Sequence, residues 1–325
     1  MIKLRDARYC NLKLLLIFLV VYGHLIEPQT GQSAVAMAQY KGIYLFHMPL
    51  FAFLSGLFLR DGKTCKQQCR RMLALYAPLQ ALTVCLGKAT PWTPHWHLWY
   101  LLSYSTWAGL AFLWFRFFRK KAKYLILTAT LLMGCLAGLC PYIGRAFSLS
   151  RTLVFFPHFW LGLICDPHAP WEKLRKFSPF VLAVLSASLL LWGDRLSADF
   201  LYQATPYGTV EHGIALRQLC YFLSLLMGLL LLAWMPTHRF PFTKAGADTL
   251  PAYLIHAPIV SRIRTWGLPW PWHLLLAAGI LYIIYRFLQW HGRLYGIVPT
   301  ERRGSRCLLF KKSTKHMPSR SIDSC

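Results

Sequence analysis

Ten mostly apolar stretches, parted by short polar segments, run along the chain at roughly 12–28, 40–59, 71–87, 95–115, 124–140, 152–165, 178–193, 214–235, 249–263 and 272–290. A bilayer core takes about 20 such residues per helix. The pattern therefore predicts an all-α integral membrane protein with about ten transmembrane helices. Several runs are short or interrupted by Pro and His, which leaves nine or eleven spans open.

The polar segments between these runs give the orientation. Cytoplasmic loops of membrane proteins concentrate Lys and Arg. With the N-terminus inside, 28 of the 36 basic residues fall on the cytoplasmic side, in short clusters such as Lys63, Lys66, Arg70 and Arg71, and eight fall outside. An even number of spans with both termini cytoplasmic fits this asymmetry. The first run lacks a small-residue cleavage site and contains Lys13 and His24, so it reads as a retained helix and not as a signal peptide. Residues 1–295 are expected to form one transmembrane domain. Residues 296–325 are expected to be a basic, disordered cytoplasmic tail drawn to anionic lipid. The connection at 194–213, with Asp194, Asp199, Glu211, Tyr202 and Tyr207, is a plain connector or a lid that touches the acceptor.

Composition sharpens the picture. The chain is 56% hydrophobic and only 14% charged, against about 25% charged in soluble domains, so no soluble domain is expected. The net charge of +25 belongs to membrane topology, and no nucleic-acid partner is expected because no hydrated domain is left to bind one. The ten cysteines show no paired zinc spacing. They read mainly as small apolar residues, and no metal is expected.

Ionisable side chains inside a span mark a site or a pathway by default. Lys13 and His24 lie eleven residues apart, three helical turns plus about 20°, so they share one face of the first helix at a separation of roughly 16 Å. Glu27 stands near that face and can orient the imidazole. His47 on the second run and His256 on the ninth are further buried histidines. Trp92, His95, Trp96, His97 and Trp99 form a ring-rich rim at the outer end of the fourth run. His95, His97 and His158 are read as interface and packing residues. Buried histidines beside Pro-broken helices also suit a secondary transporter, although no half of the chain repeats the other.

These residues resemble a known family. Lys13-x10-His24 in a first helix ending Val20-Val21-Tyr22-Gly23-His24 is followed by His47-Met48-Pro49-Leu50-Phe51-Ala52-Phe53-Leu54-Ser55-Gly56. Next come Arg70-Arg71-Met72-Leu73 with Tyr76-Ala77-Pro78, His97-Leu98-Trp99-Tyr100-Leu101, Phe156-Pro157-His158-Phe159-Trp160-Leu161-Gly162 and Tyr253-Leu254-Ile255-His256. In this order they resemble the membrane-bound acyltransferase family 3, most closely its fucose 4-O-acetylase-like branch. The resemblance implies a multi-pass O-acyltransferase of the plasma membrane. It would move an acyl group, acetyl by default, from cytoplasmic acyl-CoA to a hydroxyl of an extracytoplasmic glycan or other small acceptor, with no permanently bound cofactor. It implies His24 as the catalytic residue, with Lys13 as its motif partner and Glu27 beside it. It implies Arg70 and Arg71 as the residues that meet the CoA phosphates; read from the residues themselves, Lys13 joins them there, and His47, Trp99 and His256 meet an acceptor that enters from the outer side. In the family two arginines are often separated by two residues; here Arg70 and Arg71 are adjacent. The imidazole would act either as a general base or as a transiently acylated nucleophile.

Overall fold

The computed structural model describes residues 7–118, 122–192, 196–208 and 212–294. The tail expected at 296–325, and Asp194 and Glu211 of the 194–213 connection, lie outside the described residues. The described residues contain helices and no strand. In chain order the helices are α1 (Ala7–Ile26), α2 (Ala34–Leu57), α3 (Gly62–Cys85), α4 (Trp99–Leu113), α5 (Lys123–Leu136), α6 (Leu149–Ile164), α7 (Ser178–Trp192), α8 (Ala198–Leu201), α9 (Gly213–Trp234), α10 (Leu250–Ile263) and α11 (Trp272–Leu294). Residues up to Ile284 form one unit, and a second begins at Tyr285 within α11.

Each predicted apolar run coincides with one of the helices other than the short α8. Their lengths differ in a way hydropathy does not reveal. Among the described residues, four helical stretches are long and apolar enough to cross a membrane: Ala7–Gln29, Ala146–Ile164, Gly213–Trp234 and Trp272–Trp290. Helices α4, α5, α7 and α10 have only 14 or 15 residues, about 21–23 Å at 1.5 Å per residue, short of the ~30 Å core.

Helices α2 and α3 start well before the apolar runs that predict them. The Ser33 side chain accepts a hydrogen bond from the Ala36 amide and starts α2 at Ala34. Asp61 accepts from the Thr64 amide at 2.8 Å and starts α3 at Gly62. The cluster Lys63, Lys66, Arg70 and Arg71, expected in a loop, therefore lies on the first turns of α3. The cap satisfies one of the free amides in the first turn of that helix. The helix buries Cys65 and Met72 and keeps its basic side chains exposed.

Two contacts position the interior. At the crossing of α2 and α6, Gly56 and Gly162 face each other's backbone. A β-carbon at Gly56 would stand 1.9 Å from the Phe159 carbonyl oxygen, and one at Gly162 would stand 1.9 Å from that of Phe53. Glycine at both positions is what permits so close an approach. The first turns of α1, meanwhile, are held by loops from far along the chain. The Asn11 amide donates to the carbonyls of Pro236 and His238, and Thr243 donates to the Asn11 oxygen at 2.6 Å. On another side Tyr9 donates to the Pro167 carbonyl, Trp171 donates to the Tyr9 hydroxyl, and Arg8 pairs with Glu172 at 2.8 Å.

Candidate functional site

His24 lies near the end of α1, on the wall of a cavity of about 380 Å3. Its Nδ1 meets the Tyr44 hydroxyl of α2 at 3.2 Å and lies 3.9 Å from Glu27 Oε2. Nε2 has no protein partner among the described residues. Glu27 is fixed from two further directions: Tyr202, just after α8, donates to Oε1 at 2.8 Å, and Arg264, at the end of α10, pairs with Oε2 at 3.1 Å. The carboxylate thus ties three segments together beside the imidazole. Tyr202 and Tyr40 also join their hydroxyls by a hydrogen bond.

Of the other expected site residues, His47 and Trp99 line the same chamber. His47 is buried, with Nδ1 at 2.7 Å from the Ile43 carbonyl. Trp99 lies under the Arg151 guanidinium, 4.8 Å from the ring centroid. His256 is placed differently: it is fully buried, its Nδ1 donates to the Tyr253 carbonyl, and its ring stacks on that of His24 at 5.7 Å with 15° between planes. It is not among the residues that line the chamber. His158, read as a packing residue, is buried and hydrogen-bonded to Ser224.

Lys13 lines a second cavity, of about 240 Å3, together with Arg71, Ser55, Tyr100 and Tyr104. Its Nζ donates to the Ala247 carbonyl at 2.9 Å. Met48 and Tyr253 line both this cavity and the His24 chamber, so the two spaces adjoin across those side chains. Arg70 is exposed on α3 and does not line the cavity. A third cavity, of about 490 Å3, adjoins the chamber on another side and shares Trp96, Trp99, Arg145 and Arg151 with it. The helical spacing of Lys13 and His24 thus sets them on successive cavities along one helix. Among the described residues no group of three or more His, Cys, Asp or Glu side chains is arranged to hold a metal ion.

Tyr44, Arg151 and Arg264 surround the site without having been singled out by the sequence, and Tyr202 and Tyr253 join them, the first named there only within the 194–213 connection and the second only within the motif around His256. Tyr44 stands three residues before His47, one turn away on the same helix face, which is a readable signal. Arg151 and Arg264 counted only as outer-loop charges, because their roles depend on contacts with distant segments.

Chemically, the arrangement offers an imidazole with one nitrogen oriented and the other open to a chamber, cations in an adjoining cavity and aromatic walls on the remaining side. No curated protein and no solved structure matched the chain. A family model described as an acyltransferase domain matches residues 9–285, which include every residue named in these three cavities. The chain belongs to acyltransferase family 3.

Proposed function

We propose that this membrane acyltransferase moves an acetyl group from cytoplasmic acyl-CoA to a hydroxyl of an extracytoplasmic carbohydrate, in the manner of the fucose 4-O-acetylase-like branch. In this reading residues 1–295 cross the plasma membrane ten times with both termini in the cytoplasm, and the basic 296–325 segment meets the lipid surface. Two adjoining cavities along α1, one with Lys13 and Arg71 and the next with His24, and a third that meets the His24 chamber at Trp96, Trp99, Arg145 and Arg151, carry the proposal. The family assignment leaves the transporter alternative without support.

The CoA phosphates would be held by Lys13 and Arg71 through charge-assisted hydrogen bonds, with Arg70 at the mouth. The thin pantetheine arm would reach past Met48 and Tyr253 to bring the thioester to His24. With its Nδ1–H oriented by Glu27 and Tyr44, the imidazole takes the proton of the attacking hydroxyl on Nε2. The hydroxyl oxygen forms the new ester bond, the C–S bond breaks, and the proton passes from the imidazolium to the departing thiolate. Glu27 is a positioning residue in this scheme, and His47 and Trp99 meet the acceptor. His256 supports the acceptor site through the His24 ring on which it stacks.

His24→Ala should abolish acceptor-dependent consumption of acetyl-CoA while membrane insertion and the size-exclusion profile stay as in the parent. Transfer at the parent rate by that variant would overturn the assignment.

A further inference from the structure

The third cavity differs from the chamber in its chemistry. Lys88, His95, Arg145 and Arg151 line it, and no acidic residue does among those described. The chamber below contains Glu27 and Asp199, but Glu27 is engaged by Arg264 and Tyr202. Asp199 is exposed, and among the described residues no ion pair joins it to either shared arginine. Arg151 uses Nε to hold the Tyr202 carbonyl at 3.0 Å and lies over Trp99, while its two Nη nitrogens have no protein partner among the described residues. Two polar atoms of the cavity wall are also buried and unpartnered: Ser148 Oγ, on a residue only 3% exposed, and His95 Nδ1. Buried polar atoms without partners are rare and call for an explanation. A ligand oxyanion is the group that would satisfy hydroxyl, imidazole and guanidinium together. In the ten-span layout proposed above, only eight basic residues fall on the outer side, and three of them, Lys88, Arg145 and Arg151, line this cavity.

We infer that the acceptor is an anionic carbohydrate, whose carboxylate or phosphate is held by Arg145, Arg151, Lys88, Ser148 and His95 while its reacting hydroxyl enters the His24 chamber between Trp96 and Trp99. The inference rests on reading the chamber as the acyl-transfer site. The anion fixes the sugar at one end, and the indole faces receive its C–H surface.

The test uses the full chain in phosphatidylcholine nanodiscs. Binding of methyl glucuronide, its methyl ester and glucose 1-phosphate is measured by saturation-transfer NMR on the parent and on His24→Ala, and acetyl transfer to each sugar is measured on the parent. The charged sugars should bind about tenfold more tightly than the ester in both proteins. In Lys88→Gln/Arg145→Gln that ratio should fall by about tenfold, the size expected from losing two partly solvated charge contacts. A preference for the uronate assigns the anion to a sugar carboxylate, and a preference for the phosphate assigns it to a glycosyl phosphate. Equal binding of uronate and ester, or a ratio that the double variant leaves unchanged, overturns the inference. Anion preference without acetyl transfer to any of the sugars retires the acyl-transfer reading alone, whereas equal transfer to charged and neutral sugars retires the anion preference alone.

Discussion

The crossing of α2 and α6 allows a stability prediction whose size follows from the structure. In Gly56→Ala the new methyl carbon would stand 1.9 Å from the Phe159 carbonyl oxygen and 2.9 Å from the Leu163 amide nitrogen. Ordinary contact begins near 3.4 Å, so the two backbones must part by about 1.5 Å, the difference between 3.4 and 1.9. Both clashing groups are main chain and cannot rotate aside. Overpacking of this kind typically costs about 1–3 kcal/mol. Gly42, on the same helix, is the internal control: a β-carbon there meets nothing within 4 Å, and removing a helical glycine should stabilise by about 0.5–1 kcal/mol. The assay is the temperature at which half the detergent-solubilised protein loses its monodisperse size-exclusion peak. Gly56→Ala should lower it by several degrees and Gly42→Ala should leave it level or raise it. Gly162→Ala, which meets Phe53 from the other side of the crossing, should add little to Gly56→Ala, because the helices have already separated. Equal melting of the Gly56 and Gly42 variants would refute the reasoning.

Two further changes probe the site and its support. Tyr44→Phe removes the hydroxyl 3.2 Å from His24 Nδ1 and should lower kcat about tenfold, as expected for a hydrogen bond of about 1–1.5 kcal/mol, with a smaller change in KM. An unchanged kcat in steady-state assays would show that Tyr44 does not position the ring. In the loop before α7, the hydrogen bond from Arg8 holds the Glu172 carboxyl below its ordinary value of 4.5. A depressed carboxylate contributes stability in full above its ordinary range and loses it as pH falls through the folded value. The stability gap between the parent and Arg8→Gln should therefore close on acidification in thermal melts. A gap that stays constant into acid would contradict the pairing.

Much of the helical layout was legible because apolar runs of bilayer length have few other uses, and each run became a helix. Helix starts were less legible. Ser33 and Asp61 set them through single side-chain caps that a hydropathy window averages away, and so the basic residues 63–71 moved from a loop onto α3. The common face of Lys13 and His24, and the nearness of Glu27, followed from helical periodicity alone. The contacts that complete the chamber did not, since Tyr202 reaches Glu27 across 175 residues and Arg151 bonds a carbonyl 51 residues away. Nothing local distinguishes Arg151 from an ordinary outer-loop charge. Nor does local sequence show that His256 lies behind the imidazole, because that depends on how α10 packs against α1.

The hydrogen bond from Lys13 to Ala247 joins residues 234 positions apart, and this separation has a temporal meaning. At synthesis rates of about 5–20 residues per second, roughly ten to fifty seconds pass between the emergence of the lysine and that of the carbonyl that receives it. During that interval α1 is complete while the wall contributed by residues 247–253 does not yet exist. The Lys13 cavity is therefore among the last parts of the protein to form, and a nascent chain that already carries both Lys13 and His24 still lacks one wall of it.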